Sequence, residues 1–390
     1  MTAAGVRRVT AASVSCLLVV LVSAGSVQAA ASGVCASNAP APGATMTITI
    51  DNALPPPTTT ISVAGEIVTI NGAPQPACTG LSDIVINGDD GSDVVLYSGL
   101  VSGSVVANLG GGDDDFTAGG AQPVTVNGEG DDDVLRGGTG ADTLNGGADD
   151  DLVFGGADEG DMLDGGGDLG DELTYAGVAT AVVVNLSGSA LAPAGTDSAT
   201  GFARVTGGDG ADTITGDGGA NVLDGGPGSD TVTYLDRAGG VRVTLDGVAN
   251  DGAGGGAEGD DVIAENVTGG AGADTLTGDA GANRLDGAGG VDTVEYSDKT
   301  LAGQAVRVTL DGVANDGEAG GAEGDDVIAE NVTGGAGADT LTGNAGANRL
   351  DGAGGVDTVD YADKIGPLQG VRVTLDGVAN DGEAGGAEGD

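Results

Sequence analysis

The sequence contains no histidine and no tryptophan, and aromatic residues make up only 2% of its 390 positions. Without histidine, the chain lacks the usual general base, a Ser-His-Asp triad and a histidine-ligated zinc site. So few aromatic side chains leave only a thin aliphatic core. Basic residues are also scarce: 12 Lys and Arg stand against 60 Asp and Glu, which gives a formal net charge of −48. This charge excludes nucleic acid as a partner.

A long hydrophobic run is missing as well. Residues 1–29 have the pattern of a secretory signal peptide, with Arg7 and Arg8 before a short apolar core and small residues before a cleavage site after Ala29 or Ala31. The apolar core is shorter than the roughly 20 residues that a membrane-spanning helix needs. We therefore expect a secreted, extracellular protein with no transmembrane segment in the mature chain.

Cysteine is nearly absent, with three in the chain. Cys16 would leave with the signal peptide, and the remaining pair, Cys35 and Cys78, suggests one disulfide in an exported protein. Both lie in residues 30–86, which are rich in Pro and Thr and contain short alternating stretches typical of strands. We interpret this region as a small β cap, because solenoids need a shielded first coil.

Glycine, by contrast, occupies 80 positions and recurs in a repeat. The clearest copy is 269–277, which reads Gly-Gly-Ala-Gly-Ala-Asp-Thr-Leu-Thr. Two variants follow it directly, and the whole block returns at 334–360 and more loosely at 207–233. The shared pattern is G-G-x-G-x-D-x-U-x, in which U is a large aliphatic residue.

Each part of this pattern has a physical role. The glycines allow a tight turn, the aspartate ends it, and three extended residues follow with the aliphatic side chain inward. Two repeats make one coil of eighteen residues, so sixth-place aspartates eighteen residues apart become neighbours. Two carboxylates and several turn carbonyls then form an all-oxygen cage that suits Ca²⁺. The candidate ligand pairs are Asp212 with Asp230, Asp274 with Asp292, and Asp339 with Asp357.

Earlier repeats, within residues 87–181, are irregular. An aspartate in the sixth place, or close to it, precedes an aliphatic or aromatic residue in each. These aspartates are either further calcium ligands, which we favour, or members of solvated acidic loops. The candidates are Asp93, Asp114, Asp132, Asp142, Asp151, Asp161 and Asp171.

In these repeats the chain resembles the RTX (haemolysin-type) calcium-binding repeat proteins. The resemblance implies an all-β fold, a parallel β-roll or β-helix solenoid that folds on external Ca²⁺, with each ion held by turn carbonyls and sixth-place aspartates. Many RTX proteins also carry a C-terminal secretion signal and an enzyme or toxin domain. This chain has an N-terminal signal and no room for such a domain, so we expect no enzyme activity.

Two features depart from the repeat. The middle repeat of each block carries asparagine, which we interpret as a turn with no stacked partner on its own side. Each block ends in tyrosine, which we interpret as a residue that stops the coil. The asparagines are Asn221, Asn283 and Asn348, and the tyrosines are Tyr97, Tyr175, Tyr234, Tyr296 and Tyr361.

A longer unit of 65 residues contains these blocks, because the strand that begins at Val241 returns at Val306 and Val371. We divide the chain into a degenerate module at 182–240, two full modules at 241–305 and 306–370, and a partial module at 371–390. Each full module has an acidic, glycine-rich loop. Its carboxylates are either calcium ligands or solvated side chains; in the first copy they are Asp246, Asp251, Asp260 and Asp261.

The sequence therefore predicts a secreted calcium-binding β-roll protein that offers a structural, adhesin-like surface. Its expected partners are calcium ions and either a cell-surface glycan or further copies of itself. The alternative is a polysaccharide-acting parallel β-helix enzyme, a lyase or an epimerase. Arg242, Arg307 and Arg372 only recur with the module, which gives little support to that alternative.

Overall fold

The structure is a computed structural model. It describes residues 81–361 except 89, 99–102, 157–159, 188–196 and 319–322; before and after this range it describes only the strands given below. The chain divides into two compact units. The first unit comprises residues 1–173 and 195–202, and the second comprises 174–194 and 203–390.

The strands that precede the regular repeats are two to eight residues long. They are β1 (Cys16–Ser23), β2 (Ser26–Gln28), β3 (Ala44–Asp51), β4 (Thr59–Ala64), β5 (Ile67–Ile70), β6 (Ala73–Pro74), β7 (Leu81–Asn87), β8 (Asp93–Tyr97), β9 (Val105–Gly110), β10 (Asp115–Ala118) and β11 (Val124–Glu129).

Most later strands have three residues, because the turn uses the other six residues of each nonapeptide. They are β12 (Val134–Arg136), β13 (Thr143–Asn145), β14 (Leu152–Phe154), β15 (Met162–Asp164), β16 (Glu172–Thr174), β17 (Val183–Asn185), β18 (Ser198–Thr200), β19 (Arg204–Thr206), β20 (Thr213–Thr215), β21 (Val222–Asp224), β22 (Thr231–Thr233), β23 (Val241–Thr244), β24 (Asp261–Ile263), β25 (Asn266–Thr268), β26 (Thr275–Thr277), β27 (Arg284–Asp286), β28 (Thr293–Glu295), β29 (Val306–Thr309), β30 (Asp326–Ile328), β31 (Asn331–Thr333), β32 (Thr340–Thr342), β33 (Arg349–Asp351), β34 (Thr358–Val359), β35 (Val371–Arg372) and β36 (Gly382–Glu383).

The first unit contains two mainly parallel sheets. One has the order β18-β15-β13-β11-β9-β7-β3-β1-β2, with only the β1–β2 pair antiparallel. The other contains β14-β12-β10-β8-β4 in parallel, with β5 and β6 added antiparallel. Strands that follow one another in the repeats alternate between the sheets, so the chain winds in coils with one strand on each face.

The core of this unit is built from stacked columns of inward side chains. In β8, β10, β12 and β14 the central residues are in register and fully buried, which excludes water from between the two sheets. This column consists of Val95, Phe116, Leu135 and Val153. The facing column in β7, β9, β11 and β13 consists of Ile86, Ala107, Val126 and Leu144.

The second unit repeats the same parallel stacking. Its sheets include β17-β20-β22-β25-β27-β30, β23-β26-β28-β31-β33, β29-β32-β34 and the run β19-β21-β24, while β35 and β36 form an antiparallel pair. The three-residue strands again bury their central residue, as in β20, β22 and β26, except that Leu350 of β33 is only partly buried. The predicted all-β, parallel β-roll class is confirmed.

The acidic loop of each full module folds back on the strand before it. Antiparallel bridges join Arg242 to Gly252 and Asp251 to Asp260. Between them lies α1 (Ala253–Gly256), a single turn in which Gly254 and Gly255 have φ of 67° and 74°. Only glycine adopts this left-handed geometry without strain, which explains the run of glycines.

The N-terminal predictions have mixed outcomes. The strands expected in residues 30–86 are present, but β3 and β4 continue the two sheets of the repeats by pairing with β7 and β8. The predicted signal peptide contains β1, which pairs with β3, and its cleavage positions lie outside the described residues. Cys35 and Cys78 also lie outside them. Within the described residues, no helix has the length and apolar character to cross a membrane.

The buried columns predict a large effect from truncating one inward side chain. Leu285→Ala removes a fully buried side chain from β27, so the free energy of unfolding should fall by roughly 2–5 kcal/mol. Arg284→Ala, one residue away and half-exposed, should change it by less than about 1 kcal/mol. Urea unfolding with saturating calcium measures both. Equal losses in the two variants would contradict the assignment of the core.

Candidate metal centre

The predicted sixth-place aspartates end the turns and directly precede the strands. All but two of the thirteen are buried, although they are charged residues in a chain with few cations. Residues of this type are almost never fully buried unless they are paired, so their burial requires a cause. The buried ones are Asp93, Asp114, Asp142, Asp151, Asp161, Asp171, Asp212, Asp230, Asp274, Asp292 and Asp339.

One oxygen of each carboxylate connects neighbouring coils. Oδ1 of Asp230 accepts the backbone N–H of Asp212 at 2.7 Å, and Oδ1 of Asp292 accepts that of Asp274 at 2.8 Å. The same bond recurs in the irregular repeats, across 18 to 21 residues of chain. We call this column of stacked carboxylates the aspartate ladder. Aspartates eighteen residues apart are neighbours in it, as the repeat length predicts.

The second oxygen faces a space left by the first glycine of the repeat. A Cβ on Gly128 would lie 2.1 Å from Oδ2 of Asp133 and 2.3 Å from the carbonyl oxygen of Gly146. A Cβ on Gly146 would lie 2.2 Å from Oδ2 of Asp151 and 2.6 Å from the carbonyl oxygen of Gly165. A carboxylate oxygen and a carbonyl oxygen of the next coil therefore converge at each of these glycines, where any side chain would clash.

Some of these second oxygens lack a protein partner. In the described part of the chain, Oδ2 of Asp133, Asp151 and Asp230 is buried and makes no hydrogen bond. A buried, unpaired carboxylate oxygen is strongly unfavourable, and a cation held between it and the carbonyl would remove that penalty. Nowhere among the described residues do three His, Cys, Asp or Glu side chains gather as a metal cluster. Carbonyl oxygens must therefore complete the shell of a bound ion.

The carboxylates also raise one another's pKa. Burial raises the pKa of Asp133 to about 7, and the negative charge of Asp151 adds to the effect. Burial likewise raises the pKa of Asp151 to about 7, with a further contribution from Asp171. The pKa values of Asp230 and Asp292 are raised for the same reason. The fold therefore disfavours the charged form of these carboxyl groups, and a bound cation would offset that cost.

Two predicted residues do not occupy a buried ladder position. Asp132 is exposed, and its neighbour Asp133 occupies the ladder instead, with its N–H bonded to Asp151. The inward residue of that strand is Leu135, and the ladder aspartate always stands two places before the inward residue. Counting back from Leu135, and not from Val134, would have found Asp133. Asp357 is exposed, and the coil that would follow it lies outside the described residues.

The interpretation of the asparagines is wrong in one respect. The middle turn does have a stacked partner, since the N–H of Asn283 donates to Oδ1 of Asp325 in the acidic loop at 3.1 Å. Nδ2 of Asn283 donates to the carbonyl oxygen of Glu265 at 3.0 Å, and Asn348 does the same to Glu330 at 2.9 Å. The coil before the middle turn thus presents an acceptor, which an amide satisfies and a carboxylate would repel.

The acidic loop is not solvated along its whole length. Asp251 and Asp260 are fully buried. Asp251 accepts the N–H groups of Thr244 at 2.7 Å and Val262 at 3.3 Å, while Asp260 accepts the N–H of Asn221 at 3.0 Å. These hydrogen bonds connect the loop to the stack. Each carboxylate oxygen that takes part already accepts one backbone N–H.

Tyr234 and Tyr296 are buried in the core. Tyr234 is 1% exposed, its N–H donates to the carbonyl of Thr268, and its hydroxyl donates to Oδ2 of Asp260 at 2.9 Å. Tyr296 makes the same hydroxyl bond to Asp325 at 2.9 Å. The ring of each fills the interior where the acidic loop joins the stack, so both tyrosines contribute to the core.

Comparison with protein families identifies the repeat. The model for the RTX calcium-binding nonapeptide repeat matches four segments, at residues 127–162, 199–232, 256–294 and 321–359. The chain therefore carries RTX calcium-binding repeats between residues 127 and 359. Repeats of this family bind Ca²⁺, in agreement with the all-oxygen surroundings of the carboxylates. Comparison with curated protein sequences gave no match.

The RTX ladder predicts opposite effects of one substitution with and without calcium. Asp230→Asn should lower the stability of the calcium-bound protein by about 2.7 kcal/mol, if one site is lost at a hundredfold excess of calcium over its Kd. In EDTA the same change should leave stability equal or higher, because it removes a buried and unpartnered charge. Thermal melting under both conditions is the measurement.

Asp209→Asn is the matched control, since Asp209 lies in the same block but is exposed. It should have little effect under either condition. A loss of stability for Asp230→Asn in EDTA as large as that in calcium would show that this carboxylate has only a hydrogen-bonding role.

The raised pKa values also predict how the metal-free protein responds to pH. The pKa values of Asp133, Asp151, Asp251 and Asp316 are each raised to about 7, chiefly by burial. A raised carboxyl pKa means that the folded state binds protons more tightly than the unfolded state. This contribution is complete below the unfolded pKa, near 4, and is lost as pH rises through about 7. In EDTA the protein should therefore melt at a higher temperature at pH 5 than at pH 8; the reverse order would be contrary to this account.

Proposed function

We propose that this protein is exported, takes up Ca²⁺ along its aspartate ladder, and so acquires a rigid surface that acts in adhesion or structure. The observation that carries the proposal is the stack of buried carboxylates, in which the second oxygens of Asp133, Asp151 and Asp230 make no hydrogen bond within the protein. Such an arrangement is unfavourable without a cation and favourable with one. The ion is then part of the fold and not an addition to a finished protein.

The overall charge supports the dependence on calcium. A formal charge of −48, with only 12 basic residues, opposes compaction of the metal-free chain. Each bound Ca²⁺ neutralises two carboxylates and stabilises only the folded state. Because several sites lie in one stack, and each coil contacts its neighbours, binding at one site should favour binding at the next.

The site of action in this proposal is extracellular. Residues 1–29 have the composition of a signal peptide, and RTX repeat proteins are typically secreted. Calcium sites of extracellular modules typically have Kd values of roughly 10⁻⁴–10⁻³ M. A chain that needs this much calcium would remain unfolded until it had been exported.

An open groove in the second unit is the candidate contact surface. It has a volume of about 770 Å³, and its lining includes Arg242, Asp246, Asp279 and Asp298. Three carboxylates against one guanidinium make an acidic substrate unfavourable here, which weighs against the polysaccharide lyase or epimerase alternative. Neutral glycans are the better class to test. An assay for cleavage of acidic polysaccharides in calcium would recover the enzyme alternative if product formed.

The proposal predicts that folding requires calcium. Circular dichroism of the mature chain should show a cooperative melting transition in millimolar calcium, and the transition should be absent or shifted far down in EDTA. Readdition of calcium should restore it, and magnesium at the same concentration is the control, because Mg²⁺ demands a smaller, octahedral shell. Identical melting curves in EDTA and in calcium would refute the proposal.

A further inference from the structure

A basic side chain lies between the stacked turns that carry asparagine. Nζ of Lys299 is 2.8 Å from Oε1 of Glu323 and 2.7 Å from Oδ2 of Asp298. It also donates to the backbone carbonyl oxygen of Asp279 at 3.2 Å. The side chains of Lys299 and Glu323 are each only 4% exposed. The ammonium group is thus held by carboxylate and carbonyl oxygens, the ligand types that surround calcium in proteins.

The ammonium group of Lys299 occupies a position that corresponds to the gap between two coils of the ladder. The turn that ends at Asn283 precedes β27, and the loop that contains Glu323 and Asp325 precedes β30, which pairs directly with β27. Lys299 contacts both of them: the carbonyl of Asp279 in the first turn and the carboxylate of Glu323 in the next. It therefore bridges two stacked turns, as a calcium ion would between two aspartate turns.

The preceding module has the same arrangement with arginine. Nη2 of Arg237 is 2.7 Å from Oε1 of Glu258 and also contacts the carbonyl oxygens of Gly216 and Asp217. The two side chains are 14% and 5% exposed. This turn ends at Asn221, whose N–H donates to Asp260 in the acidic loop. Two modules thus place a different cationic side chain at the same point.

The sequence links the cation to the acidic loop. Arg237 and Lys299 each stand three residues after a tyrosine, and Glu258 and Glu323 each stand two residues before a buried aspartate. The degenerate module at 182–240 lacks this glutamate, and the residue three places after Tyr175, the tyrosine that precedes this module, is a buried valine. The cation is therefore present where the glutamate is present and absent where the glutamate is absent.

We propose that Lys299 and Arg237 take the place of calcium in the asparagine turns, so that the acidic loop of each full module makes one contact with the stack that needs no metal. This inference rests on the calcium-binding function proposed above. A tethered single charge is sufficient there because asparagine replaces one ladder carboxylate. The glutamate and the turn carbonyl then accept the hydrogen bonds of the cation. The ion pair between the cationic side chain and the glutamate holds the acidic loop against the stack. Calcium then binds only at the aspartate turns.

The inference predicts that removing the tethered charge and restoring the carboxylate creates a calcium site. The variant combining Asn283→Asp with Lys299→Met should bind one more calcium ion per chain than the wild type, measured by equilibrium dialysis at saturating calcium. Lys299→Arg is the matched control and should bind the wild-type number, because Arg237 shows that a guanidinium group fits. An unchanged number of ions in the double variant would overturn the inference.

A second measurement uses the wild-type protein and holds even if the double variant does not fold. Crystals soaked in a terbium salt should give anomalous peaks between Asp274 and Asp292, and none within bonding distance of the carboxylate of Glu323. A peak at Glu323 would overturn the inference while leaving the proposed function intact. Failure of the wild type to bind any calcium would refute the proposed function, and this inference with it.

Discussion

The whole structure depends on burying one carboxylate in each turn of a stacked coil. Each carboxylate is needed, because its first oxygen accepts an N–H from the neighbouring coil and so holds the coils in register. Each carboxylate also destabilises the fold when no cation is bound, because its second oxygen is buried beside other negative charges. The protein has too few basic residues to neutralise this column. The demand for an external cation therefore follows from the hydrogen bonding of the backbone.

The same repeat also limits the depth of the hydrophobic core. A nine-residue unit leaves three residues for the strand, and only the central one points inward, so the core is one side chain deep on each face. A core of this depth contains no large aromatic cluster, and it gains stability from repetition along the stack. The exceptions are the points where the acidic loops enter, and there buried Tyr234 and Tyr296 fill the additional space.

The parts that could be predicted from the sequence are those that the repeat itself dictates. The nonapeptide pattern predicted the parallel coils, the position of the inward aliphatic residues and most of the ladder aspartates. It failed at Asp132, where three consecutive acids made the register ambiguous and the inward Leu135 was the better reference. It failed again at Asn283 and did not indicate the partner of Tyr234, because both partners lie in the acidic loop, 26 to 42 residues away. No local pattern indicates that this loop folds back into the stack.

The hydrogen bonds of the ladder all run in one direction, from the amide of one coil to the carboxylate of the coil that follows it in the chain. The two ends of a stack are therefore chemically different. The C-terminal end of a stack leaves an amide that a further coil can cover, whereas the N-terminal end leaves a carboxylate oxygen without such a donor. If the chain is exported N-terminus first, as proposed above, its coils emerge in the order in which they can close. Each newly closed coil then helps to prevent the chain from sliding back.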